Sequence, residues 1–237
     1  MANIELCASS ISSIIDSNKF NIDRIELCSE IGIGGVTPSI GFVEESLKYS
    51  KVPIRVLIRP RSGNFVYDKN EINVIKKDIL ILKKYPIEGF VIGFTDVSGN
   101  LLFEELKKVV EICDQKKLTF HRAFDVLKNP FNDVDKIIQL GFDTILTSGQ
   151  KENVNDGLEF IKEIKEFTGG KINIMPGGGI NNMNIKKISS CNFNWIHLSS
   201  KKLLNTNKGY EKEISFLSQE IYGLDKKKLK DIITEIK

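Results

Sequence analysis

The chain has 237 residues, 41% of them hydrophobic and 27% charged, and a formal net charge of +3. That balance fits a soluble globular protein with a sizeable core, and gives no reason to expect a nucleic-acid partner. No apolar run approaches the roughly eighteen residues of a membrane span, so no membrane partner is expected either. The start, Met-Ala-Asn-Ile, lacks the basic segment and apolar run of a signal peptide, which points to a cytoplasmic protein. Cys7, Cys28, Cys113 and Cys191 contain no C-x-x-C pair and are expected to be reduced thiols.

In chain order, short β-rich runs alternate with helical patterns: Asn3–Cys7, Arg24–Cys28, Pro53–Ile58, Gly89–Gly93, Leu118–His121, Asp143–Leu146, Lys171–Met175 and Asn194–Leu198. Ile72, Ile75, Ile79 and Leu82 follow one helical face, as do Leu102, Leu106, Val109, Val110 and Cys113. Leu158, Ile161, Ile164 and Phe167 make a third stripe, and Leu229, Ile232, Ile233 and Ile236 a fourth. The basic run from Asp225 to Lys230 opens that last helix and reads as a solvated face. Strict alternation with crossover helices implies parallel strands, and eight such units close into a (β/α)8 TIM barrel. With no linker or low-complexity segment, residues 1–237 read as one domain. The Gly/Pro-rich stretches 32–38, 60–63 and 176–179 follow strands, which is the catalytic face of such a barrel.

Barrel strands alternate between the helix layer and the interior. In the tetrapeptide Ile-Glu-Leu-Cys, present at residues 4–7 and again at 25–28, the aliphatics belong to the helix side. Glu5, Cys7, Glu26 and Cys28 then point inward, as do Arg55, Leu57 and Arg59 on the third strand and His197 on the eighth. At the end of the fifth, His121 or Arg122 projects inward and Asp125 hangs in the loop. Buried charges are costly unless paired, so Glu5 and Glu26 are expected to pair with Arg55, Arg59 or Arg61, and Glu26 with Arg59 in particular. Such an interior reads equally as a register-fixing ion-pair network or as a polar active site.

Met175-Pro-Gly-Gly-Gly-Ile180 reads as a strand, a glycine turn and a helix opened by Asn181-Asn182. Amides of Gly177, Gly178 and Gly179, with Ser199 and Ser200 after the eighth strand, make a candidate phosphate or anion site. The alternative is that three glycines form only a tight turn.

Several segments resemble the CutC-type copper homeostasis family. They are Ile4–Cys7, Arg24–Cys28, Gly34-Gly-Val-Thr-Pro-Ser39, Ile58-Arg-Pro-Arg-Ser-Gly-Asn-Phe65, Thr119-Phe-His-Arg-Ala-Phe-Asp125 and Leu146-Thr-Ser-Gly-Gln150, spread from residue 3 to about residue 200. The resemblance implies a TIM barrel, a cytoplasmic location, a homo-oligomeric tendency and a role in copper tolerance. The chain departs from the family pattern at Asn64, where Asp is frequent, at Gly177–Gly179 and in the tail after residue 200.

Two functions follow. In the first, a copper ion, as Cu(I), is held by the soft ligands Cys7 and Cys28, with help from His121 and His197. In the second, the barrel is an enzyme acting on a small phosphorylated or carboxylated metabolite. Glu26 or Asp125 would then transfer the proton, His121 would act as acid or electrophile, and Arg59 and Arg61 would hold the anion with the glycine loop.

Overall fold

In the computed structural model, which describes residues 1–204 and 220–236, the eight apolar runs are eight parallel strands around a common axis. The chain runs β1 (Asn3–Ala8), α1 (Ile11–Ser17), β2 (Arg24–Leu27), α2 (Ile40–Tyr49), β3 (Ile54–Leu57), α3 (Lys69–Leu82), β4 (Gly89–Ile92) and α4 (Phe103–Glu111). It continues through β5 (Lys117–Phe120), α5 (Pro130–Gln139), β6 (Thr144–Thr147), α6 (Val154–Thr168), β7 (Asn173–Pro176), α7 (Ile185–Ser189) and β8 (Trp195–Leu198). The ladder order β7-β6-β5-β4-β3-β2-β1-β8 makes a nearly closed (β/α)8 barrel. Among the described residues no backbone ladder joins β7 to β8; there, Asn194 Nδ2 donates to Asn173 Oδ1 at 3.1 Å.

Strand parity builds the core. Ile4, Leu6, Ile25, Leu27, Val56 and Phe120 are fully buried against the helices, whose apolar stripes, such as Ile75 and Ile79 of α3, face them. Phe167 leaves its stripe: it is half exposed, its ring edge-on to Phe131. Two other details depart from the sequence reading. The helix after the glycine turn begins at Ile185 rather than at Asn181, and has only 5 residues. Beyond β8 the chain forms an antiparallel hairpin, β9 (Lys201–Leu204) with β10 (Ile221–Leu224), followed by α8 (Lys226–Ile236). The rest of the divergent tail, residues 205–219, lies outside the described residues.

One glycine contact positions the site. Gly157, inside α6, packs on the loop after β6 so closely that a Cβ there would lie 1.9 Å from the Ser148 carbonyl oxygen. A side chain at this point would push the helix off the loop that carries Ser148.

Candidate functional site

The interior is filled in layers. At its foot, Arg24 Nε donates to Glu5 Oε2 at 2.6 Å, and His197 Nδ1 lies 2.8 Å from Glu5 Oε1. The Arg24 guanidinium also covers the Trp195 ring, 3.9 Å from its centroid. Alongside, Arg55 donates to Glu88 (2.7 Å), Thr119 Oγ1 (2.7 Å) and Asp143 (2.8 Å). Burial pushes the Glu5 carboxyl up, but Arg24 and then His197 outweigh it and bring the pKa to about 2. This corrects the expected pairing. Glu5 takes Arg24, its register partner on β2, and Arg55 takes Glu88 and Asp143.

Above this plug sit the sulfurs. Cys7 Sγ lies 3.5 Å from Cys28 Sγ, both thiols free and buried, with Leu57 and Val91 packed around them. Cys7, Glu26 and His197 bring one donor atom each to within 4.8 Å of one another. The Glu26 carboxylate is 3.7 Å from His197 Nε2. Among the described residues that is its ion-pair contact; the expected pair with Arg59 is not formed, although both residues are buried. Burial raises the Glu26 pKa, helped by the nearby Glu5 charge, against the opposing pull of His197. Burial disfavours the His197 cation, yet Glu26 and Glu5 outweigh it and raise the pKa. The Cys7 thiol is held well above its ordinary range, first by its contact with Cys28 and then by burial.

The top layer opens into a cavity of about 730 Å³ lined by residues from the β1, β2, β3, β5, β6, β7 and β8 ends and by Tyr222 and Lys228. Cys7, Glu26, Arg59, His121, Arg122, Asp125, Gly178, Gly179 and Ser199 all reach it. His121 is 4% exposed, and its Nδ1 accepts from the Ala123 amide at 3.1 Å. Burial, with Arg59 beside it, lowers its pKa to about 3, so the imidazole is neutral. Arg59 ties loops together, donating to the carbonyls of Ile33 (3.2 Å), Gly35 (2.8 Å) and Gly63 (2.6 Å).

Three sequence candidates change place. Arg61 does not line the cavity: it pairs with Glu71, the residue that completes the capping box of α3, and is 40% exposed. Gly177 and Ser200 also lie off the cavity; Ser200 is buried, and its Oγ has no partner among the described residues. Asp125 is at the rim, but its carboxylate already accepts from Arg122 Nε (2.8 Å), Ser148 Oγ (3.0 Å), Thr147 Oγ1 and the amides of Ser148 and Gln150. Its lone pairs are occupied, which suits a loop anchor better than a proton carrier. Thr147 and Ser148 spend their hydroxyls on that anchor. Asn64 stands outside the cavity on an exposed loop, so the missing acid there leaves the interior unchanged.

The sequence reading missed two contributors. Arg24 was legible as an inward position, but not as the residue opposite Glu5, which depends on the register of β1 and β2. Lys228, placed on a solvated face by its basic run, lines the cavity from the first turn of α8.

Comparison with known proteins agrees with this architecture. The model of the CutC family matches residues 2–202. A CutC family protein from Glaesserella parasuis is 37% identical over 84% of this chain and 82% of its own. The human copper homeostasis protein cutC homolog is 38% identical over 78% of this chain and 68% of its own. The crystal structure of the copper homeostasis protein CutC from Streptococcus agalactiae superposes with a TM-score of 0.77 at 30% identity, over 83% of this chain and 98% of that one.

Proposed function

The chain belongs to the CutC family, and from that premise we propose that it handles copper by holding Cu(I) between Cys7 and Cys28. The observation that carries this reading is the 3.5 Å approach of two free, buried thiols beneath a cavity that opens outward. Soft sulfur donors select Cu(I), and a site dry on one side with few hard ligands suits a monovalent soft ion. Glu26 and His197 stand next to Cys7 and can supply a third donor or take up the thiol proton when the metal enters. Two of the four donors, Glu26 and His197, are charged or polar groups facing Cys7, whereas Cys28 is backed by apolar side chains. The other two cysteines serve packing: Cys113 is sealed in the helix layer, and Cys191 donates to the Lys187 carbonyl of its own helix region.

The test is anaerobic competition for Cu(I) against a chromophoric chelator, with the wild type and the Cys7→Ser/Cys28→Ser double variant. The wild type should compete and the double variant should not, with Zn(II) bound weakly by both. Equal competition by the two proteins would remove the thiols as ligands.

A further inference from the structure

The cavity above the thiols contains polar groups that copper does not explain. His121 accepts the Ala123 amide on Nδ1, which fixes its proton on Nε2. That Nε2–H is buried and has no acceptor among the described residues. The Nδ1–Cε1 edge of the ring backs onto Gly93, where a Cβ would come within 2.8 Å of Nδ1, and Phe65 covers one face at 4.6 Å. The remaining edge carries Nε2, and His121 lines the cavity. A buried donor with no partner is uncommon in a finished protein interior, and a ligand oxygen is what it lacks.

At the rim cations outnumber carboxylates. Arg122 spends Nε on Asp125 and Nη2 on Ser148, Lys151 and Glu152, and among the described residues Nη1 makes no hydrogen bond. Gly178 stands over it with φ 90°, and a Cβ there would sit 3.5 Å from that same Nη1. Glycine at this position keeps the guanidinium edge open. Lys201 and Lys228 complete the rim, and no ion pair is formed by either among the described residues. The carboxylates lining the cavity are Glu26 and Asp125, and Asp125 is already matched to Arg122.

We propose that this cavity binds a small two-ended anionic metabolite, its phosphate or carboxylate held at the rim by Arg122, Lys201 and Lys228, and an acceptor oxygen at its other end reaching His121. The volume, about 730 Å³, lies in the range of small-molecule sites. Donors meet the ligand at both ends, which favours oxyanions over cations and amines. The helix that follows the glycine turn plays no part, since its first turn begins beyond Asn184. The site shares its cavity with Cys7 but holds its ligand through Arg122, Lys201, Lys228 and His121, and does not depend on copper binding.

The experiment uses the full chain, freed of phosphate and metal, titrated calorimetrically with 2-phosphoglycolate and with inorganic phosphate. The two-ended probe should bind more tightly than phosphate by about tenfold. Lys201→Gln/Lys228→Gln should weaken both probes by about fivefold or more, while His121→Phe should abolish the advantage of phosphoglycolate and spare phosphate. Thermal unfolding of each variant without ligand checks that it is folded. The proposal is overturned if neither probe binds saturably at millimolar concentration. It is equally overturned if binding is unchanged in the folded lysine and His121 variants.

Discussion

Cys7 and Cys28 touch across a diagonal: the register partner of Cys7 is Glu26, yet its sulfur meets that of Cys28, two residues further on and just past the end of β2. Parity gives both side chains the inward direction, and staggering of adjacent strands places them on successive levels. The 3.5 Å contact is made by the side chains leaning toward each other over Leu57 and Val91. Glu26 takes the level position beside Cys7, which is why a carboxylate and His197 crowd one sulfur and not the other.

Loss of Arg24 should be the most damaging change in the lower barrel. Arg24→Met leaves Glu5 buried without its guanidinium, and removing one member of such a pair costs about 3–5 kcal/mol. Adding Glu5→Gln should recover part of that loss, since the uncompensated charge then disappears. Urea unfolding of the two variants measures both, and a single variant as stable as the wild type would contradict the pairing.

Glu26→Gln should leave stability at neutral pH unchanged or raise it. The inward parity of Glu26 alone predicts the opposite, through a lost pair with Arg59. Burial raises the Glu26 pKa above its ordinary 4.5, so the folded state holds that proton more tightly than the unfolded chain. Ionisation therefore costs stability as pH climbs through the folded pKa, and the glutamine escapes that cost. Unfolding free energies of both proteins at pH 5 and pH 8 decide the sign.

His121 makes the protein acid-sensitive earlier than its carboxylates do. Its pKa falls from 6.5 to about 3 on folding, so below pH 6.5 the unfolded chain binds a proton that the folded one refuses. Stability present above that point should decline on acidification at up to about 1.4 kcal/mol per pH unit from this group alone. His197, with a raised pKa, contributes in the opposite sense and loses its share as pH rises. His121→Phe should flatten the acid limb of a stability profile between pH 6.5 and 5, and an unaltered limb would show that His121 is not buried neutral.

Gly157→Ala should destabilise, although alanine ordinarily favours a helix interior by about 1 kcal/mol. The added carbon would meet the Ser148 carbonyl at 1.9 Å and the Gly149 Cα at 2.7 Å, both backbone atoms that cannot step aside. A loss of roughly 2 kcal/mol or more, seen as a lowered Tm, is expected from such overpacking. Because this contact seats the Ser148–Asp125–Arg122 cluster, the variant should also weaken phosphate binding at the mouth.

The barrel itself was legible because period-two strands and helical stripes are local patterns, and so was the inward direction of Glu5, Cys7, Glu26, Cys28, Arg55, Arg59 and His197. Which charges meet was not, because partner choice depends on register between strands, and nothing local to Arg24 shows that it stands opposite Glu5. Arg61 misled for a related reason. Its neighbour Arg59 points inward, but the turn after β3 carries Arg61 outward to a carboxylate at the start of α3. Lys228 was hidden by its own basic run, which looks uniformly solvated although the first turn of α8 sets this residue at the cavity.

The charged plug at the foot of the barrel has a consequence for traffic. Arg24, Glu5, Arg55 and Thr119 occupy the lower interior with exposures of 2%, 0%, 3% and 0%, leaving the sulfurs at the bottom of a blind well. Whatever reaches Cys7 through this cavity passes the groups that line it, Arg122 and His121 among them, and leaves through it by the same way. A metal delivered by another protein would therefore have to be handed over at the rim, and a metabolite resting there would act as a stopper, slowing both loading and escape while leaving the strength of the sulfur site untouched.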